Sequence, residues 1–404
     1  MDAEPGEAVL NGPFLRKIIC RIVVVAIFAP VVFCGLVVFA SYRAYQREQR
    51  IAQKVSALGG HASFRFCGPD WIPHEISGEL PFWHRICCVE LRLVPSSGPG
   101  PSCDSSRISR ICDADLKFLN ELPDLEHFSL GPSRVTDAGL KCLCGFKKLK
   151  TLRLESNRLT DSTLEQLQAL TALRSLECSD MQISSNGLQY LKGLTNLTQL
   201  LLFNVPITDT GLEHLRDLKK LQELQLYDTQ VDGDGLKHLA ELPNLRTLYF
   251  SGWDDAALGY VKGLTKLPKL DLEGMPITDR GLEHLQGMTT LRNLDLSRTL
   301  VTDSGLKYVS GLTNLCILDL TDTRITDVGL EHLKSLSQLK SLYLGKTLVT
   351  DAGLVHLQGL TKLETLQVWE TRITDAGLEH LKSLPRLKWP DIETTQSAAE
   401  IQGE

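Results

Sequence analysis

The chain has 404 residues, a formal net charge of −6 and a sequence pI near 6.0. This charge balance excludes the overall basic surface with which proteins bind nucleic acid. Aromatic residues make up only 6% of the chain, and leucine dominates its apolar residues, which is typical of a repetitive solenoid core.

An uncharged apolar segment follows the short N-terminal tail, residues 1–17. Residues Ile22 to Tyr42 contain no charge, and a helix of this length crosses the roughly 30 Å of a bilayer core. Pro30 interrupts the segment, but membrane helices tolerate proline where neighbouring groups satisfy the freed backbone. The sequence therefore predicts a transmembrane helix over residues 18–42 and a single-pass membrane protein.

Two alternatives to this anchor stay open. Val38-Phe39-Ala40 before Ser41 has the small-residue spacing of a signal-peptide cleavage site, and a buried core helix is the other possibility. Arginine and lysine lie on both sides of the segment, so the positive-inside rule gives no clear orientation. We expect the rest of the chain on the extracytoplasmic side.

Residues 43–84 are predicted to form a juxtamembrane helix and an N-terminal lid. Arg43 to Leu58 has helix-forming composition, and Gly59-Gly60 is a stop signal. Trp71 and Trp83 in the remainder are expected to pack over the first repeat.

The eleven cysteines leave their redox state open. Their spacing matches neither a disulfide framework nor a zinc site, so free, partly buried thiols are expected. If this part of the chain is extracytoplasmic, a Cys103–Cys112 bridge is the alternative.

A repeat fills most of the remaining chain, residues 85–392, before a polar tail at 393–404. Successive units start 24 residues apart except for the unit at Leu245, which has 22 residues. In the unit Leu339–Lys362, alternating leucines predict a short strand, and leucines three residues apart then predict a helix. Because neither half can bury its apolar side alone, the units are expected to stack. The unit starts are Leu125, Leu149, Leu173, Leu197, Leu221, Leu245, Leu267, Leu291, Leu315, Leu339 and Leu363, preceded by the strand-like Arg85–Leu93.

This LxxLxLxx frame resembles the leucine-rich repeat family. The second half, ITDxGLxHLxxL, is similar to its cysteine-containing class, with threonine at the usual cysteine position, and the whole chain looks like membrane-anchored bacterial leucine-rich repeat proteins. The resemblance implies an α/β solenoid with a curved parallel sheet on the concave side and helices on the convex side. It also implies that the threonine points inward and bonds loop backbone, as a hydroxyl can.

The recurring spacing of polar residues inside each unit has a structural interpretation. Thr374 or Asp375, and their counterparts in other units, are placed to cap the following helix. Gly377 has low helix propensity, so its recurrence predicts close packing against the neighbouring unit.

No motif in the sequence predicts catalysis, a cofactor or a small-molecule substrate. One histidine per unit recurs in six units, but tyrosine takes the same slot in others, so aromatic packing is favoured over zinc and no metal site is predicted. The histidines are His214, His238, His284, His332, His356 and His380, and the tyrosines are Tyr190, Tyr260 and Tyr308.

Candidate binding residues lie on the outward positions of the central strands. Phe203, Tyr227 and Tyr249 are expected near one another, with Trp253 in the following turn. Such clusters of exposed aromatic residues are typical of hot spots that bind a partner protein. A series of drifted but functionless repeats is the alternative.

The next three units place one aspartate each on the same column of the sheet. Asp271, Asp295 and Asp319 are expected on strands about 4.8 Å apart, where they would attract a cation or a basic partner. A hydrated face without a ligand is the alternative.

These observations predict a non-catalytic, membrane-anchored interaction module that binds a protein or peptide on the concave face. A structural cell-envelope scaffold or spacer is the first alternative, and metal or calcium binding by the aspartate or histidine columns is a weaker one. A ubiquitin-ligase-type substrate adaptor would need an F-box before the repeats, where this chain has the apolar segment instead.

Overall fold

The computed structural model describes residues 37, 39–67, 84–91 and 110–388, which belong to two compact units, Met1–Leu91 and Arg92–Glu404. Most of the predicted span 18–42, both lid tryptophans, Cys103 and the tail 393–404 lie outside the described residues. None of the described helices is both long and apolar enough for a bilayer crossing. The anchor therefore stays a prediction.

The described residues of the first unit form a helix and an antiparallel strand pair. The helix runs through residues 39–57 and ends as predicted at Gly59-Gly60, where Gly59 has a φ of 78° and Gly60 N donates to Val55 O over 2.9 Å. The strands are β1, His61–Phe66, and β2, His84–Leu91. Glu48 joins the helix to β2, because its buried carboxylate accepts a hydrogen bond of 2.7 Å from Ile86 N.

The second unit is built from parallel strands, one per repeat. Each strand except β8 pairs in register with the strand of the next repeat, so that equivalent residues form columns. The strands are β3 His127–Leu130, β4 Thr151–Glu155, β5 Ser175–Ser179, β6 Gln199–Phe203, β7 Glu223–Tyr227, β8 Thr247–Phe250, β9 Lys269–Asp271, β10 Asn293–Asp295, β11 Ile317–Asp319, β12 Ser341–Tyr343 and β13 Thr365–Gln367.

A short helical segment follows each strand. It is α-helical in some repeats, 3₁₀ in others, and in four repeats an α-helix continues directly as a 3₁₀ helix. The α-helices are Asp161–Leu167, Asp209–Leu212, Asp255–Val261, Asp279–Leu282, Asp303–Val309, Asp327–Glu331 and Asp375–Leu378. The 3₁₀ helices are Asp113–Glu121, Lys141–Gly145, Ser185–Leu191, Glu213–Leu215, Asp234–Glu241, Glu283–Leu285, His332–Ser335, Asp351–Leu357 and Glu379–Leu381.

The core lies between the strands and the helical segments. The strand leucines and the helix leucines of the unit Leu339–Lys362 are fully buried, which confirms the two predicted periodicities. The inward threonines are confirmed in four repeats, where each hydroxyl donates over 2.5–2.7 Å to the carbonyl oxygen three residues earlier. These threonines are Thr299, Thr323, Thr347 and Thr371. Thr229 at the same position is an exception, because its buried hydroxyl has no hydrogen-bond partner within the described residues.

The sequence predicted one parallel sheet through all repeats. In the structure the sheet stops between β8 and β9. In neighbouring repeats the residue before the strand donates its N–H to the repeat before it, as Arg246 N does to Gln222 O over 2.8 Å. Pro268 holds this position ahead of β9 and has no N–H. The ladder therefore loses a bond at the end of the 22-residue repeat.

Adjacent repeats are joined by a pair of hydrogen bonds that we call a clasp. The carboxylate of an aspartate accepts one bond from the backbone N–H and one from the hydroxyl of a threonine or serine 23 residues later, with N···O distances of 2.7–3.0 Å and O···O distances of 2.5–2.8 Å. The clasps are Asp113–Thr136, Asp137–Thr160, Asp161–Ser184, Asp255–Thr278, Asp279–Thr302, Asp303–Thr326, Asp327–Thr350 and Asp351–Thr374.

The clasp gives the recurring TDxG sequence a role that the helix-cap interpretation covered only in part. Threonine is the N-cap residue, and Thr326 also accepts a bond from Val328 N at 3.3 Å. The aspartate, in contrast, bonds the next repeat. A Cβ on Gly329 would overlap the Asp303 carboxylate oxygen, so the predicted close packing of this glycine is confirmed and its partner is the clasp.

Candidate ligand-binding surface on the sheet

Three aromatic side chains stack across the outward face of β6, β7 and β8. Phe203 and Tyr227 are register partners, with ring centroids 5.7 Å apart and ring planes 4° apart. Tyr249 pairs with Gln225, one outward position nearer the strand start, and its ring stacks on Tyr227 at 5.8 Å and 25°. The structure thus brings together the three residues that the sequence placed near one another, and we call them the aromatic cluster.

The backbone after each strand holds the aromatic cluster at the strand ends. Asn204 and Asp228, which directly follow Phe203 and Tyr227, have φ values of 49° and 51°. Asparagine and aspartate tolerate this left-handed conformation better than most residues. Asn204 N donates to Tyr227 O over 2.9 Å, which ties the two strand ends together beneath the rings.

Tyr227 is the most accessible ring of the aromatic cluster, with 37% of its surface exposed. Partial burial, together with the neighbouring Tyr249 and Asp271, raises the pKa of the Tyr227 hydroxyl. At neutral pH the aromatic cluster therefore presents uncharged rings that a ligand side chain can stack on.

Trp253 does not belong to this surface, which corrects the sequence-based prediction. Its side chain is only 2% exposed and packs edge-on against Phe250, with ring centroids 5.2 Å apart. The 22-residue repeat lacks two residues at this turn, where regular repeats bury both a threonine and a valine or isoleucine. The indole fills that part of the core, so the prediction of an exposed Trp253 was wrong.

Lys269 extends the surface beyond the aromatic cluster, and the sequence analysis missed it. Its Nζ lies 5.7 Å from the Tyr249 ring centroid and 3.2 Å from Asp271 Oδ2, a cation–π contact combined with an ion pair. Burial lowers the pKa of Lys269, but Asp271, Tyr249 and Asp295 together raise it by more, and the net shift is upward. Its position two residues before Asp271, on the same face of β9, was the available signal.

The predicted aspartate column exists, but its members differ in their partners. Asp271 pairs in register with Asp295, and Asp295 with Asp319. Asp295 Oδ1 accepts bonds from Ser297 N at 2.9 Å and Ser297 Oγ at 2.6 Å, and Asp319 Oδ1 accepts one from Thr321 N at 2.8 Å. Only neutral donors are thus seen at Asp295 and Asp319.

Half-buried Asp319 has the most perturbed environment of this column. Burial raises its pKa, the bonds from Thr321 oppose this shift, and the charges of Asp295 and Glu273 add to it, so that the net shift is upward. Within the described ranges, no three histidine, cysteine or acidic side chains are grouped so as to hold a metal ion. The column is therefore a strip of negative charge beside the aromatic cluster.

Comparisons with known proteins agree on the fold. A leucine rich repeat family profile matches residues 313–373, and a search of curated proteins finds no match. Among solved structures, an internalin of Listeria monocytogenes is similar at 25% identity and a TM-score of 0.52, over 69% of this chain and 83% of the internalin.

Two further solved structures are similar at lower TM-scores. A leucine-rich repeat protein of Leptospira interrogans has 18% identity and a TM-score of 0.40, over 67% of this chain and 85% of its own. A plant peptide hormone receptor in complex with the peptide RGF2 has 14% identity and a TM-score of 0.40, over 68% of this chain and 52% of its own.

Proposed function

Because the chain is a leucine-rich repeat protein, we propose that it is a non-catalytic interaction module that binds a protein or peptide on the outward face of its sheet. The observation that carries this proposal is the aromatic cluster, three stacked rings on adjacent strands with Tyr227 37% exposed. Aromatic side chains at the centre of a binding surface contribute a large part of the affinity in known interfaces.

We propose a membrane location for this module. The uncharged segment Ile22 to Tyr42 supports an anchor over residues 18–42, with the repeats on the extracytoplasmic side. Protease added to intact cells tests this side, with a C-terminal tag as the readout. Loss of the tag in intact cells agrees with the proposal, and loss only after permeabilisation contradicts it.

The binding proposal is tested with a random peptide library displayed on phage and selected against the full-length chain in a mild non-ionic detergent. We expect enriched peptides that no longer bind when Phe203, Tyr227 and Tyr249 are all replaced by alanine. A matched control is the chain with Tyr190, Tyr260 and Tyr308 replaced by alanine, because these three tyrosines lie on the helical segments instead.

The control variant should bind the selected peptides as the unchanged chain does. Both variants must keep the circular dichroism spectrum of the unchanged chain, so that loss of binding is not loss of folding. Equal binding by the chain with and without the aromatic cluster contradicts the proposed site.

A further inference from the structure

We infer that the ligand is an extended peptide that carries a lysine or arginine three to four residues from an aromatic or aliphatic anchor. The anchor lies on the aromatic cluster, and the basic side chain lies between Asp295 and Asp319, which we call the acidic pair. This inference rests on the proposed function and names the chemistry of its ligand.

The aromatic or aliphatic anchor residue of the peptide is inferred from the geometry of the rings. Phe203 and Tyr227 lie nearly parallel, 4° apart, with Tyr249 stacked beside them. Leu202 and Leu226, the inward neighbours, are buried in the core beneath. Since the three stacked rings form a continuous apolar surface on the outward side of the sheet, a flat or apolar side chain gains contact area there.

The basic side chain follows from which carboxylates already have a counter-ion. Lys269 lies 3.2 Å from Asp271 and neutralises it. Across the part of the chain that the structure describes, neither Asp295 nor Asp319 forms an ion pair. Asp295 accepts hydrogen bonds from Ser297, and Asp319 accepts one from Thr321. Two adjacent half-buried carboxylates with neutral donors attract a cationic group, and its binding would relieve their repulsion.

The charge pattern also decides against an acidic ligand. Lys269 lies beside the aromatic cluster, where it contacts the Tyr249 ring and forms an ion pair with Asp271. Glu273 contributes to the raised pKa of Asp319 but is itself paired with Arg298 at 2.9 Å. Within the described residues, the negative charge without a counter-ion beside the aromatic cluster is that of the acidic pair. An acidic or nucleic-acid ligand would therefore meet repulsion next to its anchor.

The spacing of the ligand residues follows from the spacing of strands. Tyr249, Asp295 and Asp319 hold equivalent positions in β8, β10 and β11. The acidic pair therefore lies two and three strands away, or at least about 10 to 15 Å at about 4.8 Å per strand, because β8 and β9 are not hydrogen-bonded to each other. An extended peptide rises about 3.3 Å per residue. A peptide running across the strands therefore needs about three to four residues between anchor and basic side chain.

Selected phage peptides test this inference on the full-length chain. We compare the unchanged chain with an Asp295→Asn/Asp319→Asn variant, in which asparagine oxygens can still accept the bonds from Ser297 and Thr321. A Glu283→Gln/Glu331→Gln variant removes the same charge from the helical segments and is the control. Fluorescence polarisation measures Kd for the best peptide and for its form with glutamine at the basic position, at about 50 and about 500 mM NaCl, a range over which exposed charges become screened.

We expect the asparagine variant to lose about tenfold in affinity and most of the salt dependence, and the glutamine peptide to show the same loss. The control variant should bind normally. Peptides that need the aromatic cluster but carry no basic residue, or that bind the asparagine variant unchanged, overturn the inference while the proposed function stands.

Two other results overturn both proposals together. One is the absence of any peptide that depends on the aromatic cluster. The other is a chain that self-associates in light scattering through the aromatic cluster and excludes peptides, since the occupant is then a second copy.

Discussion

The C-terminal repeats, residues 291–388, and the central repeats, residues 173–266, share one frame but are joined to their neighbours differently. Every C-terminal repeat is held by a complete clasp, from Asp279–Thr302 through Asp351–Thr374. The inward threonine is also hydrogen-bonded in all of these repeats. Their polar residues repeat as regularly as their leucines.

The central repeats depart from this pattern at three successive joints. Ser185 replaces the aspartate and bonds Thr208 as a neutral group, with Thr208 N donating over 2.9 Å. Asp232 replaces the threonine, so that it faces Asp209 as a second carboxylate. Gly233 then replaces the aspartate that would have faced Asp254. The break in the sheet at Pro268 comes immediately after these three joints along the chain.

The aromatic cluster lies on these loosely joined repeats. The leucine core continues through them without exposure, so the fold survives the loss of clasps. The comparison therefore separates two sets of residues in the repeat. The leucines make each unit fold, and the polar residues hold one unit to the next. The predictions below test that separation from the largest expected effect to the smallest.

Replacing Gly329 by alanine should cost the most. The new Cβ overlaps the Asp303 carboxylate, so the Asp303–Thr326 clasp must open, and we expect a loss of about 3 kcal/mol in the free energy of unfolding, from overpacking and lost hydrogen bonds. Urea denaturation followed by circular dichroism measures the effect. Gly311 has open space around an added Cβ, so Gly311→Ala should be neutral or slightly stabilising.

A second substitution at the same glycine sharpens this test. Thr163 occupies the equivalent position in its repeat, and its hydroxyl donates to Asp137 Oδ1 over 2.5 Å. Gly329→Thr should therefore cost less than Gly329→Ala despite its larger side chain. Equal or greater damage from threonine would show that the overlap, rather than the clasp, sets the cost.

Removing one carboxylate from the regular region should have a smaller effect. Asp327→Ala deletes the acceptor for Thr350 N and Thr350 Oγ1, both within 2.8 Å, and we expect a loss of about 2 kcal/mol because a part-buried donor is left unpaired. Asp327→Asn keeps one acceptor and should lose less. The same denaturation assay measures both, and an unchanged midpoint for Asp327→Ala would contradict a stabilising clasp.

Restoring a clasp in the central region should stabilise the chain, and the size of this gain in stability should depend on pH. The hydrogen bond with Asp209 and the repulsion by its charge raise the pKa of Asp232. A raised folded-state pKa means that stability falls as pH rises from the unfolded value, ordinarily 3.8, through the folded value. Asp232→Thr removes this penalty and supplies a hydroxyl donor, so its melting temperature should exceed that of the unchanged chain at pH 7.

The pH dependence of that gain is the control. It should shrink as the pH falls toward 3.8, the ordinary aspartate value, because protonation relieves the same repulsion in the unchanged chain. A gain of constant size across this range would mean that Asp209 and Asp232 do not repel each other in the folded chain.

The sequence predicted the parts of this structure that one repeat determines by itself. The strand and helix order, the leucine core and the inward hydroxyl of Thr299 all follow from periodicity within a unit, and the nearness of Phe203 to Tyr227 follows from stacking units in register. The helix end at Gly59-Gly60 was likewise a local signal. Each of these predictions is confirmed.

The features that the sequence analysis missed arise between repeats. Asp303 looks like a helix-dipole residue within its own unit, and only the structure shows its carboxylate bonding Thr326 of the next unit. Trp253 was predicted to be exposed because the sequence did not show that the two-residue deletion beside it leaves core space, which the indole fills. Pro268 shows how a single missing N–H interrupts a sheet between two otherwise regular strands.

The most direct test of the binding surface is amide hydrogen exchange of the full-length chain with and without a peptide from the phage selection. Binding to the outward face of the sheet predicts slower exchange in β6 to β11, from Gln199 to Asp319, and unchanged exchange in the helical segments of the same repeats. Protection confined to the helical segments, or to repeats after Leu339, would contradict it.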